Sequence, residues 1–255
     1  MESGIDREIL AAARDALVRA RSVLFITGAG ISAESGLPTY RGIGGLYDST
    51  ETEDGFPIEV ALSGAMLQRD PALCWKHISR IEAACRGAQP NRAHRILAEI
   101  ESAKDRCWVL TQNVDGLHRI AGSRNRIEIH GDVRRLLCTG CGRREQVDDY
   151  AHLAIPPVCP GCGGLVRPDV VLFGELLPPA EVARLYRELE CGFDLVFSIG
   201  TSSAFPYIAE PIRRARAAGR ATIEINPGLT EVSRFVRYRL PVAAVVGLEA
   251  LVGAG

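Results

Sequence analysis

The sequence predicts an α/β fold: a parallel sheet with helices on both faces, interrupted by a helical insertion and by a small module of different character. Three observations carry this. Short, near-continuous apolar runs alternate with longer segments of helical periodicity, as expected of parallel strands buried on both faces. The first run stops at a glycine turn that opens a helix, the start of a βα unit. Residues 134–168 lose the core periodicity and carry paired cysteines and Pro156, Pro157 and Pro160.

In chain order, residues 6–21 place Ile9, Leu10, Ala13, Leu17 and Ala20 at helical spacing between charges. Val23-Leu24-Phe25-Ile26-Thr27 is the first strand and stops at Gly28-Ala29-Gly30. Residues 38–70 are rich in Gly, Pro, Ser, Thr and acidic groups and predict a long loop with short helices. Helical patterns resume at 71–86 and 91–103, so the insertion spans about 38–90. Cys107 to Thr111 is a second core strand ending at Gln112-Asn113, and 126–129 is a short strand that delivers His130. Strand signals return at 195–199, 221–225 and Ala243-Ala244-Val245-Val246, with a helix at 207–218 between the first two of these. Residues 1–133 and 169–255 then form one Rossmann-like domain and 134–168 a separate module.

Composition narrows the function. With 47% hydrophobic and 24% charged residues and a formal net charge of −1, the chain lacks the basic excess that nucleic-acid binding requires. No apolar run approaches the roughly 18 residues of a membrane span, so no membrane partner is expected. The N-terminus has no secretory pattern. Of eight cysteines, four form Cys-x-x-Cys pairs and four are scattered in apolar stretches, which reads as metal plus buried thiols in a cytoplasmic protein.

Cys138-x-x-Cys141 and Cys159-x-x-Cys162, with seventeen residues between the pairs, have the spacing of a zinc ribbon. Each pair clasps one edge of a tetrahedral ion, and the glycines at 140, 142, 161 and 163 allow tight turns. Four thiolates close the coordination shell and leave no position for water, so one Zn²⁺ per chain is expected to be structural. Metal binding then supplies the folding free energy that a loop-rich segment cannot obtain from burial.

Gly28-Ala29-Gly30-Ile31-Ser32 after a strand lets backbone approach a pyrophosphate at a helix N-terminus. The usual third glycine is displaced and no acidic residue closes the second strand, which argues against an ordinary dehydrogenase.

Together with Pro38-Thr39-Tyr40-Arg41-Gly42, this segment resembles the signature of the sirtuins. The resemblance continues in Thr111-Gln112-Asn113-Val114-Asp115-Gly116-Leu117-His118 and Ile129-His130-Gly131. After the four cysteines it resumes in Phe173-Gly174-Glu175-Leu176-Leu177-Pro178, Gly200-Thr201-Ser202 and Ile225-Asn226-Pro227. The ordered set covers roughly residues 15–250. It implies NAD⁺-dependent removal of acyl groups from protein or peptide lysine, yielding nicotinamide, free lysine and O-acyl-ADP-ribose.

The resemblance also implies roles. His130 is the catalytic base, its ordinary pKa suiting it to take a proton from a ribose hydroxyl near neutral pH. Asn113 and Asp115 position the nicotinamide carboxamide and ribose, flanked by Gln112 and Val114. Gly28, Ala29, Gly30, Ser32, Glu34, Tyr40, Arg41 and Tyr47 are implied cofactor contacts, with Arg41 on phosphate. At the other end of NAD⁺, the contacts are Gly200, Thr201, Ser202, Asn226, Pro227, Gly228 and Ala244. Ser203 to Tyr207 is one residue shorter than the usual family wording before its proline. On the substrate side, Val171, Phe173, Gly174 and Glu175 form an extended segment whose backbone pairs with the peptide. His94 and His118 have structural roles.

The stretch Arg41-Gly42-Ile43-Gly44-Gly45-Leu46-Tyr47 resembles the branch that includes desuccinylases, which read acidic acyl groups with Tyr-x-x-Arg on the next helix. Aligned without gaps, those positions fall on Ile78 and Ile81; shifted by one residue they fall on His77 and Arg80. The first register predicts an apolar acyl pocket and deacetylation or removal of longer apolar groups. Mono-ADP-ribosyl transfer or NAD⁺ hydrolysis in the same pocket is the rival activity. A non-catalytic NAD-sensing module is a second rival, opposed by intact His130, Asn113 and Asp115.

Overall fold

The computed structural model describes residues 4–39 and 51–253. Its main sheet has six parallel strands: β1 (Ser22–Thr27), β2 (Arg106–Thr111), β3 (Arg126–Glu128), β7 (Leu195–Ile199), β8 (Ala221–Ile225) and β9 (Tyr238–Leu240). Their order is β3-β2-β1-β7-β8-β9. The chain therefore works outward from β1 to one edge, then returns to β7 and works outward to the other. That reversal makes a topological switch point between β1 and β7, where open α/β sheets bind ligands beyond the strand ends.

Alternation along each strand divides the core. Val23 and Phe25 of β1 face a cluster with α1 (Arg7–Arg19), α5 (Arg92–Ala103) and α9 (Ala244–Val252). Leu24 and Ile26 face the opposite cluster, built from α7 (Pro179–Cys191) and α8 (Pro206–Ala217). Two neighbouring residues of one strand thus bury against different helices, which is why β1 reads as an unbroken apolar run.

A second, antiparallel sheet in the order β5-β4-β6 consists of β4 (Gly131–Cys138), β5 (Arg144–Gln146) and β6 (Val166–Val170). It packs against α2 (Ile58–Ala61), α3 (Gly64–Arg69) and α4 (Pro71–Cys85) through a third apolar cluster centred on Trp75, Leu136 and Leu172. Trp75 also donates its indole N–H to the Val166 carbonyl at 3.0 Å. A short helix, α6 (Leu117–Ile120), follows the β2 loop.

One element differs from expectation. Residues 243–246 are not a strand: Ala244 begins α9, and the last strand of the sheet is β9. A short apolar run reads alike in a buried strand and a buried helix. Ala244, Leu248 and Leu251 recur at i, i+4 and i+7 and are all buried, so the helical period decides.

Candidate active site

Five loops converge at the C-terminal edge of the main sheet, and two of them touch through backbone alone. The Gly30 N–H donates to the Gly200 carbonyl at 2.8 Å, and the Gly28 N–H donates to the Ile199 carbonyl at 3.2 Å. A Cβ on Gly30 would lie 2.7 Å from the Gly200 Cα, and one on Gly28 2.7 Å from the Thr201 Cβ. The glycines after β1 therefore serve first to seat the β1 loop on the β7 loop. Gly131 is required for another reason: its φ is +87°, and a side chain there would run into the Asp169 carbonyl. It turns the chain from His130 into the second sheet.

The β2 loop binds the site together. Gln112 donates its side-chain amide to Thr201 Oγ1 at 2.8 Å, and its backbone carbonyl lies 3.0 Å from His130 Nδ1. Asn113 gives both amide protons away, to the Gly28 carbonyl and to Ser32 Oγ, each at 3.1 Å. Its Oδ1 is thus the face left for a ligand. Ser32, nearly fully buried, donates to Asp115 Oδ2 at 2.8 Å, and the Leu117 N–H donates to Oδ1 at 2.9 Å. Burial pushes the Asp115 carboxyl up; the Leu117 and Ser32 bonds oppose that but do not cancel it.

Behind this layer, His94 Nδ1 bonds Asn91 Oδ1 at 3.0 Å and His118 Nε2 lies 2.9 Å from Thr27 Oγ1. The rings meet edge to face at 4.9 Å. Burial lowers His94 to about 4 and His118 well below the ordinary histidine value, so both remain neutral supports.

His130 is different because its partners fix its tautomer. A carbonyl can only accept, so the Gln112 bond places the proton on Nδ1 and the lone pair on Nε2. Nε2 lies 2.8 Å from the Tyr207 hydroxyl. Burial lowers the His130 pKa and the Gln112 carbonyl raises it, with burial dominant, so the ring is a neutral base at ordinary pH.

Beyond β8, Asn226 donates to the Thr201 carbonyl at 3.1 Å and accepts from the Gly228 N–H at 3.1 Å, fixing the Asn226-Pro227-Gly228 turn. Ser202 is exposed at the same edge.

Residues 28–205 match the Sir2 family. The chain belongs to the Sir2 family. It is 52% identical over 234 residues to the NAD-dependent protein deacylase 2 of Pseudomonas aeruginosa, covering 91% of each chain. It superposes on a Sir2 homologue–NAD complex with a TM-score of 0.85 at 36% identity, covering 98% of this chain and 93% of the other. On a Sir2–p53 peptide–NAD⁺ complex the TM-score is 0.79 at 28% identity, covering 95% of each.

Within this Sir2-family fold, the other expected site residues separate. Tyr40, Arg41 and Tyr47 lie outside the described residues. Glu34 is turned to the helix behind the site, where Oε2 accepts the Val245 N–H at 3.0 Å and caps α9. Ala244 is buried at the start of that helix. Ala29, Val114 and Ile81 line a cavity with Asn113 and Asp115, joined by Leu37, Pro38, Ala84 and Cys85. Ile78 does not reach it; it packs in the core with Trp75, Val133 and Leu172. His77 and Arg80 turn away from the cavity, to Asp54 at 3.0 Å and Glu53 at 2.7 Å. Cys85 and Ala84 were missed by the sequence reading, although they follow Ile81 at i+4 and i+3 on one face of α4.

The expected substrate segment is tied down more firmly than its sequence suggests. The Val171 N–H donates to the His130 carbonyl at 2.9 Å. The Phe173 N–H donates to the Leu62 carbonyl at 3.0 Å, and the Phe173 carbonyl accepts the Gly64 N–H at 3.1 Å. That edge is spent on the chain itself, and on the other the Leu172 N–H and carbonyl are both taken by Glu175. Gly174 is exposed beside it, with φ +79°. Glu175 is engaged within the chain: it takes a bidentate pair of bonds from Arg167 at 2.5 and 2.8 Å and the Leu172 N–H at 2.9 Å. Burial would push its carboxyl up, but Arg167 and the Leu172 N–H outweigh it and bring it below the usual carboxylate value. Arg167 carried no signal in the sequence, because its partner is set by the fold.

The four paired cysteines do converge. Their Sγ atoms all lie within 4.8 Å of one another, with Cys138–Cys162 at 3.4 Å and Cys141–Cys159 at 3.8 Å. Tetrahedral Zn–S bonds of about 2.3 Å require sulfurs about 3.8 Å apart. Two matching turns build the cluster: Gly142 donates to the Cys138 carbonyl and Gly163 to the Cys159 carbonyl. The Cys141 and Gly140 N–H groups point at Cys138 Sγ and lower its pKa, favouring the thiolate. A Cβ on Gly164 would sit 3.3 Å from both Cys138 and Cys162 Sγ, so glycine leaves the sulfurs room to close on an ion.

Proposed function

We propose that this chain is an NAD⁺-dependent protein-lysine deacylase that releases nicotinamide, free lysine and O-acyl-ADP-ribose. The observation that carries the reading is the tautomer of His130, a neutral imidazole with its lone pair on Nε2 at the sheet's switch point, beside Asn113 and Asp115. When bound, NAD⁺ supplies the ribose carbon that bonds the acyl oxygen as nicotinamide leaves. His130 takes the proton from the ribose hydroxyl, a contribution worth about 10²–10⁴-fold. Asn113 presents Oδ1 to ribose or carboxamide, and Asp115 accepts from the carboxamide within the cavity. The β1 and β7 loops offer backbone to the phosphates, and Asn226 lies toward the adenosine ribose.

The same reading assigns one structural Zn²⁺ to Cys138, Cys141, Cys159 and Cys162, and an acyl-lysine peptide to the segment 171–174, where Phe173 and Gly174 are exposed. Residues 134–168 are the metal-dependent module. Four scattered thiols and four metal-ligand thiols suit the reducing cytoplasm. No described helix is long and apolar enough to cross a membrane.

Mass spectrometry of a mixed acyl-lysine peptide panel, incubated with and without NAD⁺, tests the activity. The wild type should yield free lysine and O-acyl-ADP-ribose only with NAD⁺, and folded His130→Ala should lose at least 10²-fold in turnover. Near-wild-type turnover by that variant would remove His130 from the mechanism. Nicotinamide release without any acyl-lysine would point to NAD⁺ hydrolysis instead.

A further inference from the structure

We propose that Tyr207 is a positioning residue for His130 in the ligand-free site: its hydroxyl donates to Nε2, aims the imidazole, favours the tautomer protonated on Nδ1, and gives up that lone pair when the ribose hydroxyl takes its place. The direction of this bond follows from the first one. With the Nδ1 proton committed to the Gln112 carbonyl, Nε2 has only a lone pair, so the phenol at 2.8 Å must be the donor.

Tyr207 is held in place to do this. It is the second residue of α8, behind Pro206, on a helix anchored by buried Ile208, Ala209 and Ile212. Its ring stacks on Phe205 at 5.4 Å and 14°, and both rings meet the imidazole edge to face, at 5.9 Å for Phe205 and 6.1 Å for Tyr207. Upstream, Ser203 has φ +53°, a conformation that costs a non-glycine residue free energy and persists only when its surroundings enforce it. They do: Ser203 is buried, its N–H donates to Thr201 Oγ1 at 3.1 Å, and its hydroxyl meets Ser198 Oγ at 3.2 Å. The short β7 loop thus folds back so that the aromatic pair lies over the base.

The groups that bond to or stack on the imidazole are the Gln112 carbonyl from the β2 loop, Phe205 from the β7 loop and Tyr207 from α8. Among the described residues that do so, the phenol is the one titratable group. Burial pushes that phenol up to about 12, so it remains a donor across the neutral range. A phenol donates more strongly than it accepts, and its bond therefore favours the neutral ring over imidazolium. Losing it should raise the His130 pKa by about half to one pH unit.

This inference rests on reading His130 as the base, and the test separates the two. His130 is titrated by NMR in the ligand-free protein, assigned with His130→Asn, and kcat/KM is followed against pH. Tyr207→Phe should move both the His130 titration and the acidic limb of kcat/KM upward by that amount. A fluorinated tyrosine at 207, a stronger donor of nearly the same shape, should move the titration down. An unchanged His130 titration in folded Tyr207→Phe overturns the proposal. If the titration moves but the acidic limb stays, the Tyr207 contact stands and the assignment of His130 as base fails.

Discussion

Replacing Gly30 with alanine puts the seating of the β1 loop on the β7 loop to a direct test. The new Cβ would lie 2.7 Å from the Gly200 Cα and 2.8 Å from its carbonyl oxygen, against 3.4–4 Å for ordinary contact. Both obstacles are backbone and neither can rotate away, so the loops must part by about 0.7 Å. The 2.8 Å Gly30–Gly200 hydrogen bond then stretches beyond useful length. Losing it costs about 1 kcal/mol, and the overpacking about 1–3 kcal/mol more. Stability should fall by about 2–4 kcal/mol, on the order of 5–10 °C in Tm for a chain of this size. A displacement of most of an ångström should also cost on the order of 10²-fold in kcat/KM. Gly219→Ala is the control: its φ is +69° but a Cβ there meets nothing within 4 Å. It should lose about 1–2 kcal/mol from the left-handed backbone alone, with kcat/KM unchanged. Thermal melts and peptide deacylation with NAD⁺ read both variants. A Gly30→Ala protein as stable and active as wild type would refute the reasoning, as would an equal loss of activity in Gly219→Ala.

Three further outcomes follow from the site. Elemental analysis should find one zinc per chain, and stripping it should disorder the β4–β6 region before the main sheet melts; a metal-free protein with an unchanged melt would contradict this. Acetyl and octanoyl peptides should outperform succinyl peptide in kcat/KM, because His77 is paired with Asp54 and Arg80 with Glu53, which leaves neither to meet a succinyl carboxylate. A succinyl preference abolished by Arg80→Met would reverse that register. Arg167→Met should destabilise the folded chain by about 1–3 kcal/mol by leaving Glu175 unpaired. Because the Glu175 pKa is depressed, the pair's contribution is present above the unfolded glutamate pKa of about 4.3 and fades as pH falls through the lower folded value. The variant's deficit in denaturant midpoint should therefore narrow on acidification; a pH-independent deficit would rule the pair out as its source.

The strands that sequence reading located best, 23–27, 107–111, 195–199 and 221–225, are those buried on both faces, where burial writes itself as an apolar run. The edge strand β9 was missed because it is only Tyr-Arg-Leu, partly exposed at its first two positions, while a conspicuous apolar run a few residues later belonged to α9. The loop residues at the strand ends were legible through the ordered set of motifs that resembles the sirtuins; singly, a glycine turn, an Asn-x-Asp or a histidine after a strand reads as ordinary structure. What the sequence did not yield was every partner chosen by the fold. Tyr207 meets His130 from 77 positions away. Arg167 meets Glu175 across the turn that leaves β6, and Ile78 and Ile81 share a helix yet only one reaches the cavity. Periodicity identifies a face; it does not say how much of that face a neighbouring loop leaves open.

The path from the cysteine cluster to His130 would let a closed metal site, with no place for water, bear on the proposed catalysis. Cys138 ends β4 and Val166 begins β6, and the two residues pair in the sheet that the cluster clasps. β6 ends at Val170, and the next residue, Val171, donates to the His130 carbonyl. From β6 itself, Arg167 grips Glu175 and also donates to the Val170 carbonyl at 2.7 Å, closing the segment proposed to take the peptide. The opposite end of β4 begins at Gly131, directly after His130. The small sheet therefore abuts His130 at the end where Gly131 pairs with Val170, opposite the end clasped by the cysteines, where Trp75 also ties Val166 to α4. If the four thiolates lose their ion, the β4–β6 sheet keeps its packing on α2–α4 but loses the clasp at its Cys138–Val166 end, which loosens its register. The loss should then appear first as a weaker grip on peptide, a rise in KM for the acyl-lysine substrate, and only later as a fall in the stability of the main sheet, whose core clusters contain no residue of β4, β5 or β6.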